Sequence, residues 1–430
     1  MIQRLISFLE NSPVNYLAVQ TISRELDAAG FTRLDATQPM PAVHAGDKVY
    51  VTKNDSSVYA FHVGRQTLAD AGFHIICAHC DSPTFRIKPN AEMLRGGMLS
   101  LNTEVYGGPI MSTWFDRPLS LAGRVIVRTD DVMHPETRLL HIRRPLLVIP
   151  NLAIHFNRQV NDGVKLSRQK DMLPLMATGV SEELQKDGVL LTLISNELGI
   201  SKDDILDFDL YLYDCQPACT VGLNQEMISG GRLDDLSMVH AALEALLQGK
   251  DETPERTRVM AIFDNEETGS QTKQGAGSPF LKMILERLVM AQGGTADDLC
   301  RAVEQAFMIS ADNAHAWHPN YSEKYDPTNH PLLGGGPIIK LNAAQKYASD
   351  AMSAAVFAQI CREAGVPCQY FVNHSDVAGG STLGNILASS LPLRGVDMGN
   401  GVLAMHSVRE TASTADHEYC IRAFRKFYEL

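Results

Sequence analysis

Residues 258–267 read RVMAIFDNEE, an apolar run that ends in three carboxylates, Asp264, Glu266 and Glu267. Two other segments repeat the design. FHIICAHCD (73–81) ends in His79 and Asp81, and AFMISADNAH (306–315) delivers Asp312 and His315. Short continuous apolar runs of this kind predict strands buried on both faces. In open α/β sheets, ligands bind beyond the carboxyl ends of the strands. Three strands that bring carboxylates and imidazoles to that edge point to one shared site.

Working outward, the chain alternates from about residue 230 between strands and helices. Helices are expected near 233–248, 278–292, 344–364 and 382–389, with strands at 257–263, 305–310, 368–372 and 393–398. This alternation predicts an α/β fold with a mostly parallel sheet flanked by helices. Before it, Ser12 and Pro13 are expected to start a helix whose stripe is Val14, Leu17, Ala18, Ile22 and Leu26, stopped by Gly30. Strands are expected at 48–51, 57–63 and 73–78. Between 92 and 228 the texture changes to short β-rich runs broken by Gly, Pro and Asp, with one helical stretch near 189–199 and a polar loop over 156–175. The expected division is therefore a catalytic domain over 1–91 and 229–430 and an inserted β-rich domain over 92–228.

Composition narrows the class. With 430 residues the chain is long enough for two domains, and a net charge of −12 argues against nucleic acid and anionic membrane surfaces as partners. If the substrate is acidic, a local cation has to reverse that field. The eight cysteines form no complete zinc knuckle; Cys77 and Cys80 read CxxC with no second half. They fit structural thiols in a reducing compartment. The start, MIQRLISFLENSP, is too short and polar for a signal peptide, and no apolar run reaches the ~20 residues that span a bilayer. A cytoplasmic location is expected.

Carboxylates crowded into one crevice raise each other's pKa, and a divalent cation removes that conflict. Imidazole and carboxylate ligands without thiolates suit zinc, and also manganese or cobalt. Residues two apart on a strand share a face, so Asp81 can orient the His79 imidazole while Cys80 points elsewhere. Glu266 and Glu267 are adjacent, so one can ligate while the other serves as a base. Asp234, in GGRLDDLSMVHAAL (230–243), and His406, in GVLAMHSVRE (401–410), complete the candidate set. Taken alone, Asp234 reads as a helix-capping acid and His406 as a buried structural histidine.

The segments AHCDSP, STWFDRPLSLAGRV, NLAIHFNR, GRLDD, FDNEETGS, SADNAHAWHPNY, KLNAAQKYAS and LAMHSVRE occur in order from about residue 79 to the C-terminus. Together they resemble the aspartyl aminopeptidase and vacuolar aminopeptidase I family. The resemblance implies a two-zinc exopeptidase domain carrying an inserted β-rich dimerisation domain. It implies that His79 and Asp312 bind one metal, that Glu267 and His406 bind the other, and that Asp234 bridges them. Glu266 becomes the general base and Asp81 the partner of His79. His155, in NLAIHFNR, is implied to reach a neighbouring subunit's active site. The implied assembly is a tetrahedral dodecamer of dimers. Cys80 stands where the family usually has Thr, with little effect expected because it points away. Residues 373–385, NHSDVAGGSTLGN, depart from the eukaryotic pattern and are expected to line the substrate region.

The expected activity is removal of an N-terminal residue, preferably Asp or Glu, from peptides. Lys340, in GPIIKLNAAQKYAS, is the leading cation for an acidic side chain, and His315 is a second substrate-binding candidate. Alternatives are a broad-specificity or neutral-residue aminopeptidase, an N-acyl amino acid deacylase or carboxypeptidase, and a non-catalytic protein that kept the scaffold.

Overall fold

The computed structural model describes residues 1–430. The chain divides into two compact units: Met1–Asp81, Ala218–Met405 and Glu410–Leu430 form the first, and Ser82–Pro217 with His406–Arg409 the second. The divisions fall at 82 and 217 rather than at the expected 92 and 228. Thr84–Arg95 is already a strand of the second unit's sheet. Cys219–Val221 and Met227–Gly230 pair within the first unit, the latter with Glu410–Ser413.

The first unit is built on a nine-stranded sheet. Its centre is a parallel set, Thr257–Phe263, Phe73–His79, Phe307–Ala311 and Arg394–Gly399, in that order. Antiparallel pairs flank it, among them Ser57–His62 on Thr257–Phe263. Phe73–His79 and Thr257–Phe263 are buried along their whole length. Alternation then assigns their side chains to two different cores. Ile76, Ala78, Met260 and Ile262 pack with the helices Ile2–Asn11, Asn15–Ala28, Leu233–Gln248, Ala351–Ala364 and Thr414–Glu429. Ile75, Cys77, Val259 and Ala261 pack with Phe280–Ala291, Ala296–Gln305 and Leu383–Ser390. Helices on both faces leave the strand ends as the place where polar groups can converge.

Some expected boundaries move for local reasons. The second helix starts at Asn15, and Ser12 closes the preceding helix instead of opening this one. The helix expected from 344 begins at Ala351, where Asp350 and Ser353 form a reciprocal capping box. No helix is long and apolar enough to cross a membrane.

The second unit carries a six-stranded antiparallel sheet, in order Glu136–His141, Leu119–Val127, Ile205–Asp214, Thr84–Arg95, Met98–Tyr106 and Leu175–Ala177. Phe85, Leu101, Leu121, Val125, Leu210 and Leu212 bury one face, joined by Leu190 and Ile194 of the helix Val189–Leu198. Gly123 is required there: a Cβ would lie 1.9 Å from the Asp209 carbonyl oxygen of the paired strand. Within the polar stretch 156–175 the regular structure is a single turn at Val160–Asp162, and the strand Leu175–Ala177 begins at its far end.

Candidate metal centre

The strand Phe73–His79 ends at His79, which is 1% exposed. Its Nδ1 lies 3.1 Å from the Asp81 backbone oxygen and 3.4 Å from Asp81 Oδ1. With the ring hydrogen on Nδ1, the Nε2 lone pair faces Asp234, whose Oδ1 is 3.7 Å away. That is the tautomer a metal-ligating imidazole needs. Cys80 turns the other way and donates its thiol to the Ser56 carbonyl at 3.1 Å.

Asp81 has a second task. Its two oxygens accept the backbone N–H groups of Glu266 and Glu267, each at 3.1 Å. Asn265 adopts the left-handed conformation, φ 59°, and this bend turns the chain from the buried strand into the short turn Glu266–Thr268. The Asp264 carboxylate below it accepts two 3.0 Å hydrogen bonds from Asn15 Nδ2.

Asp234 sits at a break in the first turn of Leu233–Gln248, where it and Asp235 leave helical geometry and the peptide between them is cis. Its N–H donates to Glu410 Oε2 at 2.9 Å. Asp312 follows Phe307–Ala311, and its N–H donates to the Met398 carbonyl at 2.9 Å. The ligand atoms of His79, Asp234, Asp235 and Asp312 all lie within 4.8 Å of one another, as do those of His79, Glu266 and Glu267. Asp234 and Glu267 also approach each other within that distance.

The crowding has the electrostatic signature of a cation site. Burial, with Asp312 and Asp234 adding repulsion, holds the Asp235 carboxyl well above the carboxylate range. Burial, reinforced by Asp312, Glu267 and Asp81, pushes Glu266 up to about 9. For His79, burial opposes the charged ring, but Asp234, Asp235 and Asp81 outweigh it and raise its pKa. A bound divalent cation would relieve all of these conflicts at once. The oxygen and imidazole donor set therefore fits a zinc-type ion.

Asp235, the second acid of GRLDD, belongs to the same cluster although it is absent from the candidate residues expected from sequence. Its carboxylate accepts the His79 N–H and the Asn313 N–H, each at 3.2 Å, and so ties two ligand-bearing strand ends together. The DD doublet was the available signal; only the fold shows that the second acid points back into the sheet edge.

The remaining candidates are more dispersed. Lys340 is 3% exposed, and its ammonium donates to the Asp312 carbonyl at 2.7 Å and the Asn313 carbonyl at 3.3 Å, with Asp312 Oδ1 at 3.5 Å. Despite burial, Asp312 and Asp397 keep its pKa raised, so the cation is secure. His315, on the short strand Ala314–His315, stands with its ring centroid 5.8 Å from Phe371 and lines a cavity of about 380 Å³ with residues of 373–380. His406 belongs to the second unit, where its Nδ1 lies 3.1 Å from the Gly108 carbonyl, so Nε2 carries the lone pair. His155 is exposed on a turn of the second unit, beside exposed Ile154 and Phe156.

The chain is similar to known proteins along almost its whole length. The family model described as aminopeptidase I zinc metalloprotease (M18) matches residues 8–428. An M18 family aminopeptidase 2 of Clostridium acetobutylicum is 50% identical over 429 residues, covering 100% of this chain and 98% of that protein. A solved structure of the Ape4 and Nbr1 complex superposes with a TM-score of 0.95 at 36% identity, covering 99% of this chain and 85% of the other. The mApe1 dodecamer of S. cerevisiae gives a TM-score of 0.86 at 25% identity, covering 99% and 96%.

Proposed function

The chain belongs to the aminopeptidase I zinc metalloprotease (M18) family, and from that premise we propose that it works with two divalent ions and prefers peptides with Asp or Glu at the N-terminus. It is a zinc aminopeptidase. The observation that carries the two-ion reading is the set of overlapping donor groups around His79, Asp234 and Glu267. His79 and Asp312 would hold one ion, Glu267 and His406 the other, and Asp234 both. Bound ions of this kind supply Lewis acidity and lower the pKa of a water molecule.

The protein's own groups supply the rest. Glu266 takes the proton of the attacking water and returns it to the leaving amine, a role open to a carboxyl that neighbouring divalent cations would keep ionised. Asp81 fixes the His79 ring and, through two backbone N–H groups, the turn that aims Glu266 and Glu267. Lys340 is the cation placed beside Asp312, and an ammonium with three hydrogens can donate one to an acidic side chain in addition to its two carbonyl partners. His155 is proposed to act in the active site of a neighbouring subunit. A dimerising role for the second unit is proposed from the family resemblance, and assembly into a dodecamer by analogy with the S. cerevisiae mApe1 dodecamer.

The test is a panel of aminoacyl p-nitroanilides assayed with zinc, manganese and cobalt in turn, alongside their N-acetylated counterparts. Asp and Glu substrates are expected to give the highest kcat/KM, and the N-acetyl compounds none. Equal rates on Leu and Asp would leave a broad-specificity aminopeptidase, and cleavage of N-acetyl substrates would refute the exopeptidase reading.

A further inference from the structure

The cavity beside His315 differs from the rest of this acidic protein. Its wall contains His315, His318, Lys324 and His374, two tyrosines, and no Asp or Glu. Across the chain acids outnumber bases, 50 to 38, so a wall without a carboxylate is a local departure from that balance. Two of the imidazoles are set as donors. The Asn320 N–H donates to His318 Nδ1 at 3.2 Å, and the Asp376 N–H donates to His374 Nδ1 at 3.2 Å. A nitrogen that accepts a hydrogen bond carries no proton, so the hydrogen of each neutral ring is on Nε2. Both rings therefore offer an N–H without being charged, and Lys324 adds a permanent cation.

The location ties the cavity to the reaction. Phe371, in its wall, pairs in parallel register with Lys340. Paired residues of neighbouring strands stand about 5 Å apart on the same face. His315 follows Asp312 by three residues. The cavity thus opens one strand away from the lysine proposed to hold the first side chain. Its volume of about 380 Å³ is enough for one residue of a peptide.

We infer that this cavity is an anion-binding subsite that takes a carboxylate of the substrate beyond the scissile bond. That carboxylate is the acidic side chain of the second residue or the C-terminus of a dipeptide. The inference rests on the aminopeptidase reading above and extends it from the first residue to the second.

The experiment measures kcat/KM of the full-length, zinc-loaded enzyme on Asp-p-nitroanilide, Asp-Ala-amide, Asp-Ala and Asp-Asp-amide. Asp-Ala reports a C-terminal carboxylate and Asp-Asp-amide a side-chain one, each against Asp-Ala-amide. One or both ratios are expected near tenfold, about 1.4 kcal/mol. In Lys324→Met and His374→Phe the favoured ratio is expected to fall toward one. Ratios of one in the unmodified enzyme overturn the inference, whether or not the variants fold. Variants that lose all substrates in proportion, with the ratio kept, overturn it as well. Asp-p-nitroanilide has no second carboxylate: failure to prefer it over Leu-p-nitroanilide strikes the acidic preference at the first residue, while normal preference with flat ratios strikes the subsite alone.

Discussion

Two regions a few residues apart in the first unit have opposite chemistry. Around His79, Asp234 and Asp312 the walls are buried carboxylates whose pKa values are driven up by burial and by one another. Around His318, Lys324 and His374 the wall has hydrogen-bond donors and no carboxylate. The first arrangement is costly until a cation enters; the second is ready for an anion. A peptide has a basic and an acidic end, and under the proposed function the difference between the regions would give it a direction.

Removing the cation tests the acidic region most severely. Chelation is expected to abolish turnover and to lower the melting temperature by several degrees, because the buried like charges lose their partner. Zinc added back should restore both, as followed by calorimetry and a nitroanilide assay. A melting temperature indifferent to chelator would mean that the acids are stable without an ion, and the contrast between the regions would dissolve.

Glu266→Gln probes a single member of that cluster. It keeps the shape but replaces an acceptor oxygen with an NH2 group that cannot take a proton, so kcat is expected to fall by about a thousandfold or more. Metal content by elemental analysis should not change. A variant retaining a tenth of wild-type kcat would remove Glu266 as the base.

Lys340 stands at the border of the two regions, and its effect should be smaller and selective. Lys340→Ala is expected to cost Asp and Glu substrates roughly tenfold more than Leu substrates, the scale of one charge-assisted hydrogen bond. An equal loss on both would assign Lys340 wholly to holding Asp312.

Much of the first region was legible before any coordinates. His79, Glu266, Glu267 and Asp312 each follow an apolar run, and a buried strand leaves little choice about where its polar end emerges. Asp81 was legible too, because a period of two sets it on the face of His79. Asp235 was not, since its orientation depends on the broken first turn of Leu233–Gln248. Nor was the commitment of Lys340 to the Asp312 carbonyl, because the partners come from different strands. The donor cavity was the least visible: its residues come from 315–325 and 371–380, and neither stretch has a period to read.

The sequence by itself determined the alternating α/β order, the buried strands and the residue types at their ends, because hydrophobic period and chain polarity are local properties. Tertiary structure alone decided which carboxylates share one crevice, which backbone N–H groups hold them, and where acids are excluded. Those are matters of distance between segments far apart in the chain, and electrostatic interaction depends on that distance and on burial, not on separation along the sequence.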